Sequence, residues 1–516
     1  MKRFEISWLN FVLLNALFIT LMNFHLFDFI YSNLDEDASL WLKISFVLIY
    51  FSLLVMIFGL LFLPFLTQFF AIVFVLVTCV SAYFMHFYGV VIDKDMIQNA
   101  LNTDQRELKE LFNFTFLFWT VFLGLVPSLL ILKCKIRWGG GLRHIAIKFT
   151  SIFIALIIVL ACFLPQSKTL IPFFRNYNQT RVYNAPVFQI YSFVRYVKQK
   201  VVKKPELKII SQDAKLSENI KRKLLVFVIG ETARAANFRF KNKDHINDTT
   251  AYTSNLGAVY FTEVSSCGTS TAVSVPCMFS VSTRKEYSSS EFQENALDIL
   301  QKVGVKVSIL GNNSGGCQGI CKRIAHSKYL DAEFDGALLE GFKKELFSED
   351  EYEIIVLHLQ GSHGPTYYKR YPSEFRRFEP TCDTNELQEC SSEAIINTYD
   401  NTLLYTDFLL SKIITLLQKE DQESSLIYVS DHGESLGENG IYLHAMPYAF
   451  APLEQTEIPL IFYSNDTTLM QTAKAHSNYE LSHDYIFSTL LGYFKVQSKF
   501  YNPNYDILSL QVKEGL

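Results

Sequence analysis

The sequence predicts a two-part protein: five membrane-spanning helices, followed by an α/β/α domain with a mostly parallel central sheet. No Asp, Glu, Lys or Arg lies between Lys43 and Asp93, and a bilayer core needs about 20 apolar residues per helix. From Lys223 onward, apolar β-type runs alternate with helical segments, which is the pattern of a parallel sheet flanked by helices. A chain of 516 residues, 49% of them hydrophobic, is also too long for one ordinary domain.

Five spans account for the apolar N-terminal part. The uncharged run holds two of them, separated near residues 64–68. The other three are predicted at Trp8–Tyr31, Phe112–Leu132 and Phe149–Pro165. The first is too long for a signal-peptide core and has no small-residue cleavage site, so we interpret it as retained. The alternative, a set of buried helices in a large soluble core, does not account for an uncharged run of this length.

Basic residues orient these spans. Lys2 and Arg3 precede the first span, whereas the loops after spans one and three are acidic or mixed. The loop after span four carries four further basic residues: Lys133, Lys135, Arg137 and Arg143. The positive-inside rule therefore predicts a cytoplasmic N-terminus, and an odd number of spans places the chain after Pro165 outside the cytoplasm.

The predicted organisation is a transmembrane domain at 1–165, a membrane-proximal linker at 166–222 and an exported domain at 223–516. The linker is basic and aromatic. Tyr191, Phe193 and Tyr196 occur at near-helical spacing, with basic residues between and after them. This pattern suits a helix lying on an anionic membrane surface, and an ordinary solvated linker helix accounts for it equally well.

Cysteine positions agree with this topology. Cys79 and Cys162 lie in predicted spans and Cys134 in a predicted cytoplasmic loop. The other six form close pairs in the exported domain: Cys267/Cys277, Cys317/Cys321 and Cys382/Cys390. An even number in an oxidising compartment predicts disulfides, and six cysteines allow fifteen pairings, of which the sequential one is the simplest. Half of a zinc site at the middle pair is the rival interpretation, but no second pair has matching spacing.

Four predicted strands of the exported domain end in polar side chains. The run KLLVFVIGE ends at Glu231, VKVSILGNN at Asn313, YEIIVLHLQGSH at His363, and SLIYVSDH at the pair Asp431 and His432. Ligands of such folds bind outside the carboxyl ends of the strands. Two carboxylates and one imidazole, from Glu231, Asp431 and His432, suit Zn²⁺ with one open position.

The segment SSCGTSTAVSVPC supplies a candidate nucleophile. Thr269 follows a glycine and is predicted to open a small-residue helix, whose N-terminus presents free N–H groups to an anion. A hydroxyl there, ionised by the metal, could attack phosphorus. A Gly-Thr-Ser-Thr run alone is a weak signal, because hydroxyl residues cap many helices. Its combination with Glu231 and the flanking cysteines is much more specific.

His363 and His444 are the remaining candidates. Both stand in loop-like segments beyond strands, GSHGP and YLHAMPYAFAP. They could bind a second metal, donate to phosphate oxygens or protonate a leaving group. The alternative for each is a solvent-exposed or structurally bonded histidine.

These motifs resemble those of a known family. VIGETAR, SCGTSTAVSVPCMFS, HLQGSHGPTYYKRYP and YVSDHGESLGENGIYLHAMPYAFAP closely resemble segments of the Gram-negative phosphoethanolamine transferases. These are inner-membrane enzymes of the alkaline phosphatase/sulfatase superfamily, and they include the lipid A-modifying enzymes of polymyxin resistance. The similarity covers most of the chain, including the five spans and the segment RVYNAP.

The resemblance implies a role for each candidate. It implies that Thr269 is the nucleophile and completes a zinc site formed by Glu231, Asp431 and His432. It places His363 and His444 around the phosphate or a second zinc, and Asn313 in the substrate pocket. It makes the three cysteine pairs disulfides: Cys267–Cys277, Cys317–Cys321 and Cys382–Cys390. The sequence departs from the family near Gln318, where members often carry a lysine.

The resemblance also implies an activity. Phosphoethanolamine is transferred from phosphatidylethanolamine to an envelope acceptor, most often a lipid A phosphate, through a phosphothreonine at Thr269, and His444 or His363 protonates the leaving diacylglycerol. The enzyme is then a multi-pass inner-membrane monomer in contact with membrane lipids, with a periplasmic catalytic domain and no nucleic-acid partner. Lipopolysaccharide core, glycan or protein acceptors, and one or two zinc ions, are left open.

Three rival functions remain to be separated. A phosphoglycerol transferase of the same superfamily shares the threonine, the ligands and the anchor, but the paired cysteines and YLHAMPYAFAP argue against it. A membrane sulfatase requires a Cys/Ser-x-Pro-x-Arg run, which Thr269 lacks. A non-catalytic scaffold or sensor does not explain the intact set of predicted ligands and nucleophile.

Overall fold

The computed structural model describes residues 4–102, 110–201, 206–218, 221–288, 292–313, 315–346 and 350–509. Lys2 and Arg3, on which part of the predicted orientation depends, lie outside these ranges. The chain forms two compact units. The first comprises Met1–Lys94 and Phe112–Val197, and the second comprises Asp95–Leu111 and Lys198–Leu516.

Helices dominate the first unit. Four of those described are long and apolar enough to cross a membrane: Leu40–Leu61, Thr67–Tyr88, Phe114–Lys133 and Gly141–Phe163. A fifth candidate is a pair of helices, Trp8–Met22 and Phe24–Ser32, bent by 51°. Apolar helices therefore occupy all five predicted places, while the number that cross the bilayer remains a prediction. The last helix begins at Gly141 and not at Phe149, because it continues through a basic stretch beyond its apolar core.

The break in the first predicted span falls at a polar residue, Asn23. Asn23 lies between the two helices, and its Nδ2 donates to Ile19 O at 2.8 Å and to Ala185 O at 2.7 Å. Its Oδ1 accepts from Ala185 N, and Tyr50 Oη donates to Ala185 O at 2.9 Å. Inserting a polar side chain at a helix break bends the helix. The Asn23 side chain also holds the RVYNAP segment against the break between the two helices.

A short parallel strand pair joins the N-terminal segment to the basic loop of the first unit. Phe4–Ser7 pairs with Cys134–Arg137, and Lys135 Nζ lies 2.8 Å from Glu5 Oε1. Both segments therefore lie at one end of this unit, which agrees with their predicted location on the same side of the membrane.

The helix Val187–Val201 has an unusual distribution of polarity. Its polar Gln189 and Ser192 are buried, whereas Tyr191, Phe193 and Val194 are 52–58% exposed. A helix in water shows the opposite arrangement. The described residues also form the helix Ser167–Asn176, which precedes Val187–Val201, and the helix Lys94–Asn102, which follows Thr67–Tyr88.

The second unit is built on a seven-stranded sheet. We label its strands in chain order: β1 (Lys223–Gly230), β2 (Val259–Phe261), β3 (Lys306–Gly311), β4 (His326–Tyr329), β5 (Tyr352–His358), β6 (Glu423–Ser430) and β7 (Leu460–Ser464). Their spatial order is β2-β7-β6-β1-β5-β3-β4. The five strands from β6 to β4 run parallel, β7 pairs antiparallel with β6, and β2 in turn pairs antiparallel with β7. This confirms the predicted mostly parallel sheet.

Helices cover both faces of the sheet. Alternate residues of β1 face opposite ways: Phe227 packs in the apolar cluster that includes helices Thr271–Met278, Ala296–Lys302 and Ile486–Tyr493, and Val226 packs with helices Ala337–Leu346 and Ser392–Leu417. Burial on both faces explains why β1 is a continuous apolar run. Among the described residues, this unit also contains the helices Leu453–Thr456 and Thr467–His476.

Short strand pairs and disulfides complete the second unit. The pairs are Ser435–Leu436 with Tyr442–Leu443, Val264–Ser265 with Leu481–Ser482, and Lys215–Leu216 with Val496–Gln497. Disulfides join Cys267–Cys277, Cys317–Cys321 and Cys382–Cys390, the three pairs that the resemblance implies. Cys79, Cys134 and Cys162 are buried and free.

Candidate active site and metal centre

Four neighbouring strands deliver the candidate site. Glu231 follows β1, Asp431 and His432 follow β6, His363 lies five residues beyond β5, and Asn313 two residues beyond β3. The strands lie side by side in the order β6-β1-β5-β3. Their carboxyl ends therefore meet at one edge of the sheet, where the fold class places ligands.

Glu231, Asp431 and His432 form a buried group in which one ligand atom from each residue lies within 4.8 Å of the others. His432 Nδ1 is 2.9 Å from Gly433 O. Because a carbonyl oxygen only accepts, Nδ1 carries the proton and the Nε2 lone pair faces the group. Nε2 lies 3.3 Å from Asp431 Oδ2 and 3.6 Å from Glu231 Oε1.

The charges of this group call for a cation. Burial lowers the pKa of His432 to about 4, so the imidazole is neutral. Burial alone would raise the pKa of Asp431, but His432 and the N–H of Thr232 outweigh it and the pKa is lowered. Asp431 Oδ2 is buried and has no hydrogen-bond partner among the described residues. Two buried carboxylates beside a neutral imidazole fit a divalent metal ion.

The hydroxyl at this group belongs to Thr271, which corrects the prediction for Thr269. Thr271 Oγ1 lies 3.1 Å from both carboxylate oxygens of Glu231 and 3.4 Å from His432 Nε2. The helix begins at Thr271, with extended Ser270 as its N-cap. The helix start lies two residues later than predicted, so the threonine at the positive end of the helix is the second one of the motif.

Thr269 contacts the loop that carries His444. Its hydroxyl donates to Met446 O at 2.6 Å, and its carbonyl accepts from Ala445 N at 2.8 Å. The two partners, Ala445 and Met446, are the residues directly after His444. Thr269 therefore holds this loop, and its hydroxyl is occupied by the Met446 carbonyl.

Asn313 contacts a metal ligand candidate. Its Nδ2 donates to Glu231 Oε2 at 2.7 Å and to Leu359 O at 3.1 Å. Such a bond fixes the orientation of the Glu231 carboxylate. The predicted substrate-binding role of Asn313 stays a prediction.

His444 lies beside His432, and His363 lies beside His444. The His444 ring centroid is 4.4 Å from that of His432 and 5.6 Å from that of His363. Leu443 and Ala445, on either side of His444, have φ values of 63° and 69°. Non-glycine residues adopt this left-handed conformation at a cost that surrounding contacts must offset, and such residues cluster at functional sites.

Glu434 is a site residue that the sequence reasoning missed. Its Oε2 lies 2.8 Å from His444 Nδ1, and its Oε1 accepts from Tyr367 Oη at 2.6 Å. Burial raises its pKa to about 7. With His432 and His444 it forms a second group that could hold a metal ion. Its position two residues after His432 in SDHGES was the available signal.

Two glycines permit close backbone approaches at the site. A Cβ on Gly361, whose φ is 54°, would lie 2.7 Å from Glu231 O, and a Cβ on Gly433 would lie 2.0 Å from Glu454 O. Any side chain at these positions would displace residues next to Glu231 or His432.

Gln318 stands near the position where family members often carry a lysine. Its Nε2 donates to Gly315 O at 2.8 Å, and it adopts a φ of 45°. The side-chain amide thus bonds the backbone just before the loop that the Cys317–Cys321 disulfide closes.

The sequence was compared with known families and structures. Residues 50–201 match the family profile described as phosphoethanolamine transferase EptA/EptB, and residues 223–496 match the sulfatase profile. The chain is 36% identical over 540 aligned residues to the phosphoethanolamine transferase EptA of Escherichia coli (strain K12), and the alignment covers 98% of each.

Two solved structures are similar to this chain. The integral membrane lipooligosaccharide phosphoethanolamine transferase A (EptA) from Neisseria meningitidis has a TM-score of 0.93 at 32% identity and covers 98% of this chain and 99% of that chain. The C-terminal periplasmic domain of phosphoethanolamine transferase EptC from Campylobacter jejuni is 60% identical, with a TM-score of 0.58, and covers 59% of this chain and 99% of that domain.

Proposed function

The chain belongs to the EptA/EptB family of phosphoethanolamine transferases, and from this premise we propose that it transfers phosphoethanolamine from phosphatidylethanolamine to lipid A phosphate. One observation carries the assignment of the chemistry. The hydroxyl of Thr271 stands at a helix start, 3.1 Å from the carboxylate of Glu231 and 3.4 Å from the imidazole of His432. A threonine in this position is suited to attack a phosphodiester.

In the first half-reaction Thr271 Oγ1, whose proton has been released to water, attacks the phosphorus of phosphatidylethanolamine. A bond forms between Thr271 Oγ1 and phosphorus, and the bond between phosphorus and the diacylglycerol oxygen breaks. The leaving oxygen needs a proton, for which His444 and His363 are the nearby donors. The hydrogen bond between His444 Nδ1 and Glu434 directs Nε2 of His444 away from Glu434, as a proton donor requires.

In the second half-reaction an acceptor oxygen attacks the phosphothreonine. The new bond joins this oxygen to phosphorus, and the Thr271 oxygen is released. The histidine that gave up its proton in the first half accepts one from a hydroxyl acceptor; with an ionised lipid A phosphate as acceptor, it regains its proton from water, and the Thr271 oxygen leaves as the alkoxide that begins the next cycle. The same residues therefore serve both halves.

Glu231, Asp431, His432 and Thr271 would hold one zinc ion. When bound, zinc lowers the pKa of a hydroxyl and stabilises negative charge on phosphate oxygens. The support for this donor set is the buried Oδ2 of Asp431, which has no hydrogen-bond partner among the described residues. The second candidate role of His363 and His444 is to bind a further zinc ion, with Glu434 as the third ligand.

We further propose that the protein is a monomer in the bacterial inner membrane, with five spans, a cytoplasmic N-terminus and a periplasmic catalytic domain at 223–516. The spans occupy 1–165, and the segment 166–222 lies at the membrane surface. Two observations support this proposal: the four long apolar helices and one bent pair among the described residues, and the exposed apolar face of Val187–Val201. An enzyme anchored beside a bilayer lipid does not need to extract it far.

A headgroup assay tests the donor. The full-length protein is reconstituted in vesicles that contain phosphatidylethanolamine or phosphatidylglycerol, and diacylglycerol release is measured. We expect release from phosphatidylethanolamine vesicles alone. Equal or faster release from phosphatidylglycerol vesicles would identify a phosphoglycerol transferase instead.

Mass spectrometry of lipid A from cells with and without the protein tests the acceptor. We expect phosphoethanolamine on a lipid A phosphate in the cells that make the protein. The cationic amine lowers the net negative charge of the outer surface, which would reduce polymyxin binding. Unmodified lipid A, with the group found on core sugars, glycans or proteins, would reassign the acceptor.

A further inference from the structure

Glu110 occupies an unexpected place for its sequence position. It lies between the predicted third and fourth spans, yet it belongs to the same compact unit as the active site. It is 9% exposed. Its Oε2 accepts from Thr366 Oγ1 at 2.5 Å and from Arg370 Nη2 at 2.6 Å, and its backbone carbonyl accepts from the Asn385 amide. Thr366 and Arg370 follow closely on His363 in the chain.

Arg370 connects Glu110 to His363. Its Nη2 donates to Glu110, and its Nε donates to the carbonyl oxygen of His363 at 2.7 Å. The Arg370 side chain is 3% exposed. One buried guanidinium therefore bonds both the Glu110 carboxylate and the backbone of His363, and the planar geometry of arginine keeps the two bonds in a fixed relation.

The charges around Glu110 are balanced. Burial alone would raise its pKa, but Arg370, Thr366 and Lys369 outweigh it and the pKa is lowered. Lys369 Nζ lies 3.6 Å from Glu110 Oε1 and its side chain is 46% exposed. Without the carboxylate, Arg370 would be a buried cation that has lost its anionic partner, and such a group tends to move to another partner or to water.

The strand end that precedes His363 has its own support. Asp335 accepts from the backbone N–H groups of Gln360 and Gly361, at 2.9 and 2.8 Å. These bonds fix the chain up to Gly361. The Arg370 bond acts two residues later, at the carbonyl of His363 itself, so the two acids Asp335 and Glu110 support different parts of the same loop.

We propose that Glu110 is a positioning residue for His363, acting through Arg370. The inference rests on the proposed role of His363 in transfer. In this arrangement a residue from the segment between two membrane spans completes the support of the phosphate-handling site. The full-length chain therefore supports the backbone at His363 with a residue that a protein limited to residues 198–516 would lack.

The test uses the full-length protein in phospholipid nanodiscs with phosphatidylethanolamine and an acceptor. Glu110→Gln removes the charge and keeps the shape. We expect kcat to fall about 10- to 100-fold, as for residues that orient catalytic groups, with KM, zinc content and melting temperature near those of the parent protein. Glu379→Gln is the matched control, because Glu379 pairs with Arg376 at 3.3 Å on the exposed surface of the same segment. Glu110→Asp should restore part of kcat.

A double-mutant cycle separates positioning from general stability. If Glu110 acts through His363, Glu110→Gln should change kcat less than about 2-fold in a His363→Ala background, since residues that act as a unit are not additive. An equal loss in both backgrounds, or an unchanged kcat in Glu110→Gln, would overturn the proposal. If Glu110→Gln does not fold, Arg370→Lys replaces it, because one ammonium group cannot reproduce the fork of two bonds.

The same experiment distinguishes this inference from the proposed function. Transfer by the parent protein tests the function itself. An unchanged kcat in His363→Ala would overturn both the proton-transfer role of His363 and the positioning role of Glu110. A large loss in His363→Ala with additive behaviour of Glu110→Gln would overturn the positioning role alone.

Discussion

The two halves of the proposed active site are held in different ways. The sheet holds the candidate metal ligands Glu231, Asp431 and His432, which we call the metal group. Glu231 follows β1 and Asp431 follows β6, and these strands pair in parallel with Ser430 opposite Gly230. The histidine pair is held by side chains. His363 depends on Arg370, and His444 depends on Glu434 and on the loop contacts of Thr269. Strand pairing in the sheet fixes the metal group, whereas side-chain contacts fix the two histidines.

Substitutions in the two halves should therefore have different effects on zinc content and transfer rate. A change within the metal group removes a ligand from a rigid frame, so metal and activity are lost together. A change around the histidines alters a loop while the frame remains, so the protein should keep its zinc and lose only rate. Measuring zinc content beside the transfer rate therefore tells which half a residue serves.

The largest effect is expected for Asp431→Asn. The amide carries no charge, so the buried group loses one of its two carboxylates. We expect zinc content to fall to near background and transfer to fall by about 10⁴-fold or more, because nucleophile activation and charge stabilisation are lost together. Zinc is measured by elemental mass spectrometry on the purified protein.

A full complement of zinc in Asp431→Asn would contradict this division. The metal would then bind elsewhere, and the group formed by His432, Glu434 and His444 would become the candidate. Asp421→Asn, at an exposed turn before β6, is the control for purification and charge.

An intermediate effect is expected for His444→Ala. Loss of a proton donor typically costs about 10²- to 10⁴-fold in rate, and the metal group remains intact in this variant. We therefore expect kcat to fall in that range with one zinc ion retained. The control is His326→Ala, since His326 is exposed at an edge strand.

Loss of the tightly held zinc ion on His444→Ala would contradict the division into two halves. It would show that His444 belongs to the metal group and would favour its role as a ligand over its role as a proton donor.

The smallest effect is expected for Thr269→Val. This change removes the hydrogen bond to Met446 and leaves the backbone bond to Ala445. We expect a loss of about 10-fold in kcat through a less ordered His444 loop, with normal zinc content. A loss as large as that of Thr271→Val, measured in the same transfer assay, would show that Thr269 takes part in the chemistry.

Sequence patterns predicted the half of the site that strand register positions. Glu231, Asp431 and His432 each directly follow an apolar run, so the sheet edge that they share could be inferred. The choice between Thr269 and Thr271 could not, because both lie in one Gly-Thr-Ser-Thr motif. The helix start at Thr271 depends on the extended conformation of Ser270, with φ −152°, which no residue type in the motif requires.

The sequence analysis did not predict the partners that support the histidines, although SDHGES marks Glu434 as a candidate. Glu434 lies in a segment that also reads as an ordinary turn, and its bond to Tyr367 spans 67 residues. The bond between Glu110 and Arg370 spans 260 residues. Such pairs follow from the folded topology and leave no local pattern. The bend at Asn23 in the first predicted span likewise depends on a distant partner, Ala185.

In the proposed mechanism, Thr271 carries the phosphoethanolamine group between donor and acceptor. The most direct test is peptide mass spectrometry of the full-length protein after incubation with phosphatidylethanolamine in the absence of acceptor. We predict a phosphoethanolamine adduct on Thr271, present also in Thr269→Val and absent from Thr271→Val, with zinc retained in all three proteins. An adduct on Thr269, or an adduct that persists in Thr271→Val, would contradict the account.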